Sequence, residues 1–249
     1  MSLSIYPYQI IYQAYKIINC MKRSLLLLSI LMLYSLSSIG QVIGTTNFSA
    51  LPRDYQLYPR NDNGQSTVPI IGSTTRANIS YYSVLVNRNA QKYKYQKANV
   101  SYISGKGSFS FNNLVIKSEQ ANYDFSIYQV LSSGDSTLVT RVNNIVSGEV
   151  IVITGQSNST CFFTESRTNP FCRTFGKITD NFNTGNYNPA DTLWTLSNQN
   201  GYDYNVGTMG FELQKLILDN YGIPTCLING GTHWSNAQQH ANRTASNPA

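Results

Sequence analysis

A serine hydroxyl becomes a nucleophile only where a base can take its proton and backbone N–H groups can receive the oxyanion. In this 249-residue sequence, Ser157 stands where such chemistry is done. It follows Glu149-Val150-Ile151-Val152-Ile153-Thr154-Gly155-Gln156, a β-branched apolar run that ends at a glycine. The run reads as a buried strand. Its exit is where sheets with parallel strands gather their chemistry. Gly155-Gln156-Ser157-Asn158-Ser159 lacks the final glycine of the Gly-x-Ser-x-Gly elbow, so a nucleophile and a plain turn residue both remain open. Asn158 likewise reads as an organiser of the loop or as an Asx-turn residue.

The elements after the serine would have to position it. Residues 159–205 are rich in Asn, Thr, Gly and Pro with no sustained period, and read as a long loop region with short elements. Gly207 to Leu218 reads as a helix, with Met209, Leu213, Leu216, Ile217 and Leu218 forming its apolar face. Gly222 fits a left-handed cap, Pro224 lies just beyond it, and Thr225-Cys226-Leu227-Ile228 is the next strand. Strand, helix, strand is the unit of a parallel sheet covered by helices.

Upstream, residues 47–147 alternate short extended runs with turn signals. The runs include Val68–Ile71, Ile79–Val86, Ser108–Phe111 and Tyr123–Val130, the last with Tyr, Phe and Ile on one face. Asn61–Gly64, Ser104–Gly107 and Ser132–Asp135 supply the breaks. This pattern predicts a β-sandwich. Its tyrosines read as cross-strand packing, with sugar stacking as the functional alternative.

Met21-Lys22-Arg23 and the apolar Ser24–Tyr34 stretch have the plan of a signal peptide, with small residues at Ser37–Gly40 for cleavage. The apolar stretch falls short of the ~20 residues of a spanning helix, so no stable membrane span is expected after cleavage. Residues 1–20 read as a misassigned extension ahead of a true start at Met21. Removing residues 1–40 takes three cations and no acids, and lowers the formal charge from +6 to +3. The single Lys cluster, Lys92-Tyr93-Lys94-Tyr95-Gln96-Lys97, reads as an exposed edge strand, and no nucleic-acid partner is expected. Cys161 and Cys172 would close a short loop if bridged, whereas Cys226 reads as a buried thiol. No Cys/His cluster has metal-ligand spacing, and neither metal nor cofactor is expected.

Ser147–Ile153 followed by Gly155-Gln156-Ser157-Asn158 resembles the first block of the sialate O-acetylesterase-like branch of the SGNH (GDSL-type) hydrolases. Gly207–Leu218 and Gly222-Ile223-Pro224-Thr225-Cys226-Leu227-Ile228-Asn229-Gly230 resemble its helix and following strand. The resemblance implies Ser157 as nucleophile and one oxyanion donor, with Gly155, Gln156 and Asn158 shaping its loop. It implies Gly207 or Gly210 as a further backbone donor. The implied fold is a β-sandwich leader (41–147) followed by the start of an SGNH-type α/β/α, flavodoxin-like parallel-sheet domain (148–249), truncated. The implied activity is a secreted carbohydrate O-acetylesterase acting on an acetylated sugar or polysaccharide, in the periplasm or at the cell surface of a bacterium. The family's Gln-Gly-Glu and Asp-x-x-His blocks have no counterpart here. His233 and His240 have no acid three residues earlier, and no Asp or Glu follows Asp219. The chain alone is therefore expected to be inactive. The competing expectation is a non-enzymatic secreted carbohydrate-binding module.

Overall fold

The computed structural model describes residues 45–160, 166–177, 189–198, 206–231 and 236–238. These residues all fall in one compact unit that begins at Thr45. The expected signal peptide, the upstream extension, Cys161, His233 and His240 lie outside the described residues.

In chain order the strands begin with β1 (Thr46–Ala50), β2 (Leu57–Pro59), β3 (Gln65–Thr67), β4 (Ile70–Thr74) and β5 (Ile79–Arg88). Next come β6 (Gln91–Asn99), β7 (Ser101–Ile103), β8 (Lys106–Phe111), β9 (Val115–Lys117) and β10 (Tyr123–Leu131). The 18-residue β11 (Ser136–Ile153) is followed by β12 (Cys172–Lys177), β13 (Thr192–Leu196), helix α1 (Gly207–Tyr221) and β14 (Thr225–Asn229). The chain is mostly β-sheet. A four-stranded sheet β1-β4-β8-β7 faces a larger sheet ordered β13-β12-β14-β11-β10-β5-β6, with β2 alongside β11 and β3 paired to β9.

Strict alternation makes the sandwich. On β10, Tyr123, Phe125 and Ile127 are fully buried, and across the register Val84 and Val86 of β5 point the same way. Tyr82 stacks on Phe109 of the opposing sheet at 3.7 Å between ring centres, and Phe111 and Ile70 fill the space beside them. At the sandwich margin Arg88 forms a two-pronged pair with Glu119, which also accepts from the Tyr123 hydroxyl. The Arg88 hydrogen bonds hold the Glu119 carboxyl below its ordinary range, against opposing desolvation.

β11 belongs to both halves of the molecule. Its first part pairs antiparallel with β10, and its last five residues, Glu149–Ile153, pair parallel with Thr225–Asn229 of β14. Gly148 sits between the two parts. A Cβ there would lie 1.8 Å from the Pro224 carbonyl oxygen, which accepts the Glu149 N–H. Only glycine lets β14 approach this closely.

Beyond β11 the short elements expected within residues 159–205 include β12 and β13, an antiparallel pair whose first strand joins β14 in parallel. The structure departs from the sequence expectation in the helix that follows. Helix α1 has the expected span but buries a different face. Gly207, Gly210, Phe211, Gln214 and Leu218 face the sheet, while Met209, Leu213 and Leu216 are exposed. The cause is close packing. Gly210 brings the helix against Leu227 and Ile153, and the Gln214 amide donates to the carbonyls of Arg173 and Thr225.

α1 covers one face of this part of the sheet with Phe211, Leu218, Leu227, Ile151 and Ile153. On the other face Val146 and Cys226 pack with Leu57 near Trp194 and Phe175, but Val150 and Val152 are 40% and 67% exposed. Arg173 of β12 bridges the two halves at 1% exposure. Its Nη2 donates to Asn122 Oδ1 and the Asn144 carbonyl, and its guanidinium lies over the Tyr55 ring.

Two outcomes are expected. Gly148→Ala should lower the free energy of unfolding in urea by about 3 kcal/mol or more, because backbone rather than a movable side chain blocks the new methyl; an unchanged midpoint would contradict this packing. The depressed Glu119 carboxyl contributes stability that is full above the unfolded carboxylate value of about 4.3 and is lost as pH falls through its lower folded value. Glu119→Gln should therefore give a shallower loss of stability between about pH 5 and pH 2 than the wild type, read by thermal melts.

Candidate functional site

After Ile153 the chain leaves the sheet through Thr154, Gly155 and Gln156 into a tight 3₁₀ turn, Ser157–Thr160. The Gln156 carbonyl accepts both the Ser159 N–H, at 2.9 Å, and the Ser159 Oγ, at 2.7 Å. Gly155 makes room for this fold-back, since a Cβ there would come within 3.2 Å of the Ser159 side chain. Ser159 is thereby buried, while Gln156, Ser157 and Asn158 are exposed. The two serines have divided roles: Ser159 is spent inside the turn, and Ser157 faces outward at the carboxyl end of β11.

Asn229, the last residue of β14, holds this turn in place. Its Nδ2 donates to the Ser159 carbonyl at 2.7 Å and to the Val206 carbonyl at 3.1 Å. Its Oδ1 accepts the Gly231 N–H at 2.9 Å, and the Gly230 N–H donates to the Ile153 carbonyl. One amide thus ties the serine turn, the start of α1 and the exit of β14 to each other. Sequence reasoning passed over Asn229 as the end of a strand. Its signal was an amide residue placed between an apolar strand and Gly230-Gly231, where loop carbonyls need a donor.

The two candidate glycines differ. Gly207 opens α1 with φ 71°, a left-handed conformation that suits glycine, and it is buried next to the N-cap residue Val206. Gly210 lies one turn in, where helix geometry commits its N–H to the residue-206 carbonyl. Its missing side chain instead serves contact with Leu227. The structure therefore brings Gly155, Ser157 and the start of α1 to one end of the sheet and gives Gly210 a packing position.

The charged and thiol groups nearby are structural in their settings. Cys172 and Cys226 are buried free thiols, and burial pushes each up to about 12. They serve opposite faces of the sheet, one in the α1 cluster and one in the Leu57 cluster. Burial pushes the Arg173 guanidinium down to about 10. Arg167 pairs with Glu212 on the exposed side of α1 and lies over the Phe211 ring. Among the described residues no group of three or more His, Cys, Asp or Glu is arranged to hold a metal ion. No described helix is long and apolar enough to cross a membrane.

The sequence matches no protein-family model, and no curated protein matches it. Among solved structures it is similar to a carbohydrate acetylesterase from Xanthomonas citri, at 13% identity and a TM-score of 0.40, over 81% of this chain and 45% of that one. It is also similar to astrotactin-2, a vertebrate-specific perforin-like membrane protein involved in neuronal development, at 12% identity and TM-score 0.27, over 43% of this chain and 22% of that one. The major pilin subunit of Bacillus cereus matches at 10% identity and TM-score 0.20, over 64% and 54% of the two chains. The chain thus spans less than half the length of the Xanthomonas esterase. At these TM-scores the likenesses carry no functional argument.

Replacing Asn229 by Asp removes the donor and sets a carboxylate against the Ser159 and Val206 carbonyls. Asn229→Asp is expected to cost about 2 kcal/mol in unfolding free energy. It should also speed amide exchange in residues 157–160 and 206–208 far more than in β10. Uniform exchange across both regions would assign Asn229 no special hold on the turn.

Proposed function

We propose that Ser157 is the nucleophile of a serine esterase that removes O-acetyl groups from sugars, and that β11, α1, β14 and β12 begin an SGNH-type α/β/α layer grown on the sandwich sheet. The observation that carries this reading is the outward placement of Ser157 at the carboxyl end of β11, on a turn fixed to the start of α1 through Asn229. In the reaction the Ser157 Oγ attacks the acetyl carbonyl, the sugar oxygen leaves with a proton, and water releases acetate from the acyl-serine. The Ser157 N–H and the Gly207 N–H are assigned as oxyanion donors, and Gly210 is withdrawn from that role because the helix ladder uses its N–H. Gln156 and Asn158, exposed beside the serine, border the approach of the sugar.

Turnover needs a base, and the sequence holds no Asp-x-x-His to supply it. We assign the protein to the secreted, bacterial envelope setting that the signal-peptide plan of Met21–Gly40 suggests. The second reading, a non-catalytic carbohydrate-binding module, draws on the exposed tyrosines of the sandwich.

The chain alone is expected to release acetate from O-acetylated sugar at background rate. Imidazole, added in place of the missing base, should raise release about tenfold or more in the wild type and leave Ser157→Ala at the imidazole-only rate. Equal rates for the two proteins would remove Ser157 from the chemistry and leave the module reading.

A further inference from the structure

The large sheet turns its inner face to the sandwich core, and its outer face, across β6, β5, β10 and β11, carries an unusual set of side chains. The register places Tyr95 opposite Leu85, Lys97 opposite Ser83, Tyr128 opposite Ser83 on the other side, and Arg141 opposite Ser126. Directly opposed residues share a face. Tyr81 lies two positions from Ser83 on β5, so it joins the same face. Small residues run along the middle: Ser83 and Ser126 are buried beneath their larger neighbours. The result is a shallow platform with rings and cations standing above serines.

The two lysines lie over rings and Arg141 meets a hydroxyl, so among the described residues none of the three is joined to an acid. Lys97 Nζ lies 4.4 Å from the centre of the Tyr81 ring, and Lys92 Nζ lies 6.0 Å from that of Tyr95. Arg141 Nε donates to Ser126 Oγ. None of Lys92, Lys97 and Arg141 forms an ion pair among the described residues. The acid on this stretch of β10, Asp124, accepts from the Asn144 N–H. Tyr95 is 47% exposed, far more than cross-strand packing requires. From Tyr81 to Leu85, the partner of Tyr95, is about 13 Å along the strand. That length suits several rings of an extended sugar chain.

We propose that this outer face binds an acidic polysaccharide, with Tyr81, Tyr95 and Tyr128 stacking on the apolar faces of sugar rings and Lys92, Lys97 and Arg141 meeting sugar carboxylates. Three separated cations on a flat face match a polymer with spaced carboxylates better than the continuous phosphate backbone of a nucleic acid. The surface lies on the sandwich, away from the Ser157 turn, and does not depend on that serine being catalytic.

The test uses the full chain as Ser157→Ala, so that turnover plays no part, in affinity electrophoresis through gels holding polygalacturonate, its methyl-esterified neutral form, or single-stranded DNA. Retardation by polygalacturonate alone is expected. It should weaken up to about fivefold in Lys97→Gln and about tenfold in Tyr95→Ala, with melting temperatures near the parent's. Should Tyr95→Ala fold poorly, Tyr95→Phe is expected to keep binding and Lys97→Gln alone reports the face. Equal retardation by the neutral polymer, unchanged binding in Lys97→Gln, no retardation at all, or stronger binding to DNA would each overturn the proposal.

Discussion

Two kinds of sheet meet on a single strand, and the meeting rests on the absence of one methyl group. β11 runs for 18 residues, about 60 Å, from an antiparallel ladder inside a sandwich to a parallel ladder under a helix. The change of partner happens at Gly148, where the Pro224 carbonyl is packed against the α-carbon. β14 is set by that contact, β12 by β14, and α1 by the small residues and the Gln214 amide facing both. Every element that frames Ser157 is therefore indexed, through one glycine, to the hydrophobic core of the sandwich. The sandwich is thus the foundation of the serine's position as well as its neighbour.

At the strand's exit the forces change from apolar packing to hydrogen bonding. Gly155 permits the fold-back, Ser159 closes it, and Asn229 gathers carbonyls from two other segments. The Asn229 amide is half-buried with its donors and acceptor engaged, so releasing any one bond leaves a polar group to find another partner. Those bonds tie the turn that carries Ser157 to β14 and to the start of α1. On the face opposite α1, Val150 and Val152 of the same strand are exposed.

Much of this could be read from residues alone, and the reasons for success and failure are physical. Tyr123–Val130 shows period-two alternation, and Lys92–Lys97 shows the Lys/Tyr mixture of an edge, so both strands were legible. β12 and β13 were not, because Cys172-Arg173-Thr174-Phe175-Gly176-Lys177 mixes charge and glycine in a stretch whose burial is imposed by tertiary partners. The helix span was legible from its Gly222 cap, but its inner face was not. Hydropathy favours Leu213 and Leu216, whereas the structure selects Gly210 for closeness and Gln214 for two carbonyls. Asn229 shows the same limit, since an amide's worth lies in acceptors that the chain supplies from residues 159 and 206. Ser157 and Gly155 stand out in the sequence by their position after a strand, whereas the placement of Gly207 at the start of α1 and Gly210 one turn in comes from the helix register.

Arg173 makes the second layer answerable to the first. A guanidinium at 1% exposure is costly to take out of water without acceptors. Its Nη2 finds them in Asn122 and Asn144, with the Tyr55 ring against the guanidinium, all from the sandwich side. β12 can therefore bury this charge only where the sandwich presents those groups in register. A disturbance of the sandwich at Tyr55, Asn122 or Asn144 is thus felt in β12 and, through β14, under the helix, so the stability of one layer is coupled to the other.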